Sequence, residues 1–176
     1  AGRSQDPAGA EFMPAGSWLR PAYYGPRGRR EAIAREVRTV RQSAGLVDVS
    51  TLGKIDICGS DAAEFLERMY TGRFSDLAIG RCRYAMMCDD TAVVIDDGMA
   101  VRLSEDSVCS TTTTSGAAAI VREMKRWVII WKLNVIVIDQ TGQLAAMNLA
   151  GPKSREILSS LTDLPLSGDD FPYLHY

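Results

Sequence analysis

A mixed α+β fold is predicted here, an antiparallel or mixed sheet of the split βαβ, ferredoxin-like kind with helices on one face. Three observations predict it. Segments with strand and helix character follow one another as strand, helix, two strands, helix and strand. Two of the segments, near residues 62–69 and 117–131, carry apolar residues at helical spacing. The rest of that region is made of short β-branched or alternating runs separated by Gly, Asp, Thr and Ser.

Residues 1–12, AGRSQDPAGAEF, are polar and without periodicity and read as a linker or expression scar. Residues 13–28 are rich in Pro, Gly and aromatics (Trp18, Pro21, Tyr23, Tyr24, Pro26), which predicts an irregular arm across the surface. The domain proper is expected over residues 29–176. Arg29 to Ala44 reads as a helix, with Ile33, Val37, Val40 and Ala44 on one stripe and Arg35, Glu36, Arg38 and Arg41 facing water. Gly45 follows the last apolar position, a common helix stop. Leu46 to Val49 and Leu52 to Cys58 read as strands.

Gly59 turns the chain, and Ser60 or Asp61 can cap a helix to about Met69, with Ala62, Phe65, Leu66 and Met69 on one side. Arg81 to Cys88 reads as a strand turned at Asp89-Asp90-Thr91. Ala92 to Asp96 and Met99 to Leu103 read as one strand interrupted by a bulge at Gly98. Ser107 to Thr113 is a β-branched strand, and Thr114, Ser115 and Gly116 lead into a long helix with Ala117, Val121, Met124, Val128 and Trp131 as its stripe. Asn134 to Asp139 and Gln143 to Leu149 are two more strands joined at Thr141-Gly142. A last helix starts near Pro152 and carries Ile157, Leu158 and Leu161.

Composition narrows the function. The chain has 176 residues, 46% hydrophobic and 24% charged, with a net charge of -2. That is the profile of one globular domain. The basic stretches Arg27 to Arg30 and Arg35 to Arg41 lie on a helix face and do not make a nucleic-acid stripe. No apolar run approaches the ~18 residues of a membrane helix. The four cysteines form no CxxC pair and the single histidine, His175, lies in the tail, so zinc lacks its usual ligand spacing. Free buried thiols in a reducing cytoplasm are the expectation.

No Ser/His/Asp set and no glycine-rich phosphate loop is present. Aspartates 89–90 and 169–170 sit in turns, where such pairs are structural. Asp96-Asp97 adjoins the apolar run Ala92 to Ile95, so its backbone is strand-like and its two side chains point to opposite faces. A carboxylate partly withdrawn from solvent suits proton transfer; the structural alternative is a strand-end cap or turn. The run Ser110 to Ser115 reads either as a β-branched strand entering a hydroxyl-capped helix or as hydroxyls and helix-end amides facing a polar ligand.

Several segments in order resemble one family. LVDVSTLGKIDICGSDAAEFLERM, GRCRYAMMCDDTAVVIDDGMAVRL, TTTTSGAAAIVREM and TGQLAAMNLAGPKSREIL are similar to the glycine-cleavage T-protein (aminomethyltransferase) pattern. The opening WLRPAYYG and the threonine run are closer to the alpha subunits of bacterial heterotetrameric sarcosine oxidases. The resemblance covers about residues 16–176. It implies the first part of a T-protein-like fold that binds tetrahydrofolate and passes a one-carbon unit (an iminium or formaldehyde equivalent) to it, giving 5,10-methylenetetrahydrofolate. A glycine-cleavage-type aminomethyltransferase and a non-catalytic folate-binding or interaction module are the alternatives.

Carried over residue by residue, the resemblance makes Asp97 the catalytic aspartate that orients or deprotonates the folate amine. Tyr84 matches the strand tyrosine beside the folate, and Leu52 the apolar residue packing on its rings. Thr113, carried over as a third folate-binding position, falls where the family commonly has an asparagine, Val101 where a tyrosine is frequent and Ala92 where a glycine is usual. The resemblance also implies that FAD, FMN and NAD chemistry belongs to other parts of the complex. Its partners would be other sarcosine oxidase subunits and a missing remainder of the domain. The family's later folate-holding segment is not found here, so the piece is expected to be inactive alone, prone to self-association and cytoplasmic.

Overall fold

A computed structural model describes residues 9–25 and 28–176. In chain order the elements are β1 (Ala10–Ala15), β2 (Trp18–Tyr24), α1 (Arg29–Gln42), β3 (Gly45–Asp48), β4 (Gly53–Cys58), α2 (Ala62–Met69) and β5 (Cys82–Cys88). There follow β6 (Val94–Ser104), β7 (Ser107–Thr112), α3 (Ala117–Trp131), β8 (Ile136–Asp139), β9 (Met147–Ala150) and α4 (Ser154–Ser159). The chain divides into two compact units: residues 1–49 with 146–166, and residues 50–145 with 167–176.

In the first unit β1 and β2 pair antiparallel around a turn in which Gly16 has φ of 59°. The segment read as an irregular arm is therefore a hairpin, and Ala10 to Phe12 of the supposed linker belong to it. Residues 1–8, 26 and 27 lie outside the described residues. Pro14 and Pro21 hid the strands, because proline donates nothing to a ladder; a two-stranded ribbon with a bulge between Glu11 and Phe12 tolerates both. Tyr24 N–H donates to Glu36 Oε1 (2.7 Å), and Arg35 Nη2 to the Tyr24 carbonyl (2.7 Å), which fastens α1 to β2. On α1 only Ala32 is fully buried, while the expected stripe residues Ile33 and Val37 stay exposed. β9 pairs antiparallel with β3. The strand expected from Gln143 thus begins later and does not join β8: Gln143 and Leu144 both donate to the Gln140 carbonyl, a turn that takes the chain out of the larger sheet.

The second unit is a five-stranded antiparallel sheet in the order β5-β6-β7-β4-β8. Apart from edge strand β5, this is the split βαβ order expected from the sequence. On α2 the buried Ala62, Phe65, Leu66 and Met69, and on α3 Ala117, Ile120, Val121 and Met124, recur at three- and four-residue steps and lie on one face of the sheet. Phe65 of α2 meets Trp131 of α3 edge to face at 5.9 Å, so both helices cover the same side. Ile55, Ile57, Phe65, Leu66, Ala100, Val108 and Met124 are at most 1% exposed. Each large side chain among them contributes about 1.5–3 kcal/mol by leaving water.

Three local expectations change. Asp61 occupies the α2 cap position, but its carboxylate accepts the Asn134 N–H (2.7 Å) rather than capping the helix. Gly116, with no side-chain cap, precedes α3. Gly98 is no bulge: a Cβ there would lie 1.9 Å from the Thr111 carbonyl oxygen, so glycine allows the β6 and β7 backbones to touch. The irregularities fall between Met87 and Cys88 and between Arg102 and Ser104.

Candidate functional site

β6 splits its acid pair between the two sheet faces. Ala100 points into the helix-covered core, and strand alternation puts Asp96 on the same side, where it is 3% exposed. Asp97 therefore emerges on the outer face. Asp96 Oδ1 accepts two hydrogen bonds from Thr113, one from N (3.0 Å) and one from Oγ1 (2.6 Å), while Oδ2 is buried without a protein donor.

On the outer face Tyr84 Oη donates to Asp97 Oδ2 at 2.6 Å. Met86 lies directly opposite Asp97 in the register, and Met99 opposite Tyr84. Tyr84 is 55% exposed and Met86 38%, so a phenol ring, a thioether and a carboxylate share one accessible patch. The bond to Asp97, then some burial and the nearby negative charge, raise the phenol above its ordinary ionisation range. The phenol stays protonated and a donor at neutral pH.

The other two expected residues sit at the same end of the sheet. Gly53 pairs with Thr112, so one further step of register sets Leu52 opposite Thr113. Leu52 is half-buried, and its carbonyl accepts from Lys54 Nζ at 2.9 Å, as the Ser50 carbonyl does at 2.7 Å. Thr51 and Thr114 exchange a hydroxyl bond at 3.1 Å, tying this loop to the start of α3. Thr113 commits its hydroxyl to Asp96, so it braces the acid pair from behind.

The structure thus joins Tyr84 to Asp97 directly and puts Leu52 and Thr113 at the neighbouring strand ends. Sequence reasoning missed Lys54, whose signal was a lysine among the apolar residues of β4, and the Thr113 clamp, whose partner lies 17 positions away.

Farther along the outer face, Cys109 is held above its ordinary range, to about 11, chiefly by burial and then by Asp56. The four thiols are free and half-buried, less enclosed than expected. Among the described residues no group of three or more His, Cys, Asp or Glu side chains is placed to hold a metal. No helix among them is long and apolar enough to cross a membrane. Chemically, the patch offers a flat aromatic surface beside a carboxylate able to accept a proton or a hydrogen bond.

Residues 3–176 match the family described as the GCVT N-terminal domain. The chain belongs to this family. Among relatives of the GCVT N-terminal domain chain, the sarcosine oxidase subunit alpha of Corynebacterium sp. (strain U-96) is 42% identical over 173 residues. That match takes in 96% of this chain and 18% of the relative. The sarcosine oxidase subunit alpha of Rhizobium meliloti is 43% identical over 171 residues, covering 94% of this chain and 17% of the relative. An aminomethyltransferase of Thermotoga neapolitana is 30% identical, over 91% of this chain and 42% of its own length. The crystal structure of glycine cleavage system aminomethyltransferase T from Bartonella henselae superposes with a TM-score of 0.83 at 25% identity. It covers 97% of this chain and 44% of that one. The GCVT N-terminal domain chain therefore spans under a fifth of the sarcosine oxidase alpha subunits it matches.

Proposed function

We propose that this chain is the tetrahydrofolate-binding part of a sarcosine oxidase-type amine oxidoreductase, which passes a one-carbon unit to tetrahydrofolate to give 5,10-methylenetetrahydrofolate. The observation that carries the reading is the 2.6 Å bond from Tyr84 Oη to Asp97 on an accessible sheet face. The higher identity to sarcosine oxidase alpha subunits favours this over a glycine-cleavage-type aminomethyltransferase, which the Thermotoga and Bartonella relatives support as the second reading.

The side chains suit a pterin. Tyr84, Met86 and Met99 present flat and polarisable apolar surface, with Leu52 at the neighbouring strand end. Tetrahydrofolate, when bound, supplies the amine that receives the carbon. Asp97 accepts a hydrogen bond or proton from that amine, and Tyr84 holds the carboxylate in one orientation. Positioned proton transfer of this kind contributes ~100- to 10,000-fold in rate. The flavins and the nicotinamide cofactor are assigned to other parts of the complex. The rest of the pterin cavity falls to other parts of the complete protein, and the chain alone has no transferase activity and self-associates. The reading puts the protein in the cytoplasm, with other sarcosine oxidase subunits as partners.

The test is Asp97→Asn in the complete protein, with tetrahydrofolate binding followed by calorimetry and methylenetetrahydrofolate formation by assay. Retained binding with lost transfer is expected. Unchanged transfer removes Asp97 from the chemistry. Lost binding with unchanged amine oxidation makes it a ligand-holding residue instead.

A further inference from the structure

The reading above uses Asp97 and leaves its buried neighbour without a task. Carboxylates are seldom kept inside a protein, and Asp96 is 3% exposed with Oδ2 lacking any protein donor. Its two bonds on Oδ1 both come from one residue, Thr113. Thr113 is itself fixed, because its carbonyl accepts from Gly116 N (3.2 Å) and Ala117 N (3.1 Å) at the entry to α3. A Cβ on Gly116 would come within 2.8 Å of Thr113 Oγ1 and 3.4 Å of Asp96 Oδ1, so the turn closes tightly on this pair. The acid is thereby fastened to the first turn of a helix rooted in the core by Ile120, Val121 and Met124.

The place of the clamp along β6 is what gives it a purpose. The β5 ladder loses register between Met87 and Cys88, immediately past the Met87–Asp96 pair. On the other side, regular pairing with β7 starts only at Ala100–Ser110. Residues 96–99 thus have backbone ladder pairing on one side alone, Met99 N–H bonding instead to Thr111 Oγ1 of β7 (2.9 Å), and Val94 and Ile95 just before them are exposed. We propose that Asp96, held by Thr113, is a positioning residue: the clamp restrains β6 ahead of the Met99–Thr111 bond and, through strand alternation, aims Asp97 at Tyr84 and the ligand. The proposal rests on the assignment of Asp97 made above.

Tyr84 is a built-in reporter, since its phenol ionises above the ordinary range because it donates to Asp97. Ring-carbon NMR titration of the full chain, with Tyr84 assigned through Tyr84→Phe, follows that bond without any ligand. Thr113→Val keeps the shape and removes the hydroxyl; Thr113→Ser restores it. The expected result is that Tyr84 titrates closer to its ordinary value of 10.0 in Thr113→Val and as in the unaltered chain in Thr113→Ser. In the complete protein, transfer in Thr113→Val falls ~10- to 100-fold, the scale of a small misplacement, with tetrahydrofolate affinity unchanged. A folded Thr113→Val or Thr113→Ala protein whose Tyr84 titrates as in the unaltered chain overturns the clamp. A shifted titration with unchanged transfer upholds the clamp and overturns the catalytic reading of Asp97, so the two failures are told apart.

Discussion

Tyr84 and Asp97 are diagonal partners across β5 and β6: Tyr84 stands opposite Met99 and Asp97 opposite Met86. A diagonal bond of 2.6 Å survives only while both strands keep their register, so the site depends on the sheet as a whole. Tyr84→Phe keeps the ring and removes the donor. In the complete protein it is expected to lower one-carbon transfer about tenfold, or ~1.4 kcal/mol, as measured by kcat/KM for tetrahydrofolate.

Gly98 tests the closeness of β6 and β7. An added methyl would sit 1.9 Å from the Thr111 carbonyl oxygen, inside any permissible contact. Gly98→Ala is expected to cost at least ~1–3 kcal/mol in urea unfolding, because backbone rather than a flexible side chain must move.

Ala92 adopts φ of 66° in the turn between β5 and β6, a conformation that an L side chain resists. Ala92→Gly removes that strain, offset in part because glycine gives the unfolded chain more conformational entropy to lose on folding. A net gain of ~0.5–1 kcal/mol is expected, read as a higher urea midpoint with an unchanged slope.

Glu67 on α2 accepts the Phe74 N–H (2.7 Å) and the Ser75 N–H (2.6 Å), stapling the following loop. These bonds, those from Ser75 foremost, lower its ionisation below the ordinary 4.5. The folded state then holds its proton less tightly than the unfolded state. The stabilisation is present above about 4.5 and is lost as pH falls through the lowered folded value. Glu67→Gln is expected to be less stable at pH 7 and to show a flatter loss of stability on acidification, followed by thermal melting between pH 6 and pH 3.

Much of the second unit was legible because its signals are local. Phe65, Leu66 and Met69, and Val121 and Met124, announce their helices by spacing, and alternation alone separates Asp96 from Asp97. Features set by distant neighbours were not legible. Gly98 looks like a bulge until Thr111 is seen against it, and Thr113 looks like a strand end until its hydroxyl is found donating to Asp96. The hairpin from Ala10 to Tyr24 was hidden by its prolines. The Tyr84–Asp97 bond came within reach through the resemblance to T-proteins, since nothing in a thirteen-residue separation marks two side chains as diagonal partners.

The central position of β4 bears on how the molecule is made. Although it is the earliest strand of its sheet to leave the ribosome, both its flanks are filled by strands synthesised some fifty and eighty residues later. Until these arrive, Ile55 and Ile57 have no sheet to join, and α2 has only a lone strand to rest on. Over that interval the nascent chain carries the apolar Ile55 and Ile57 without their sheet neighbours, which is when a chaperone has something to protect.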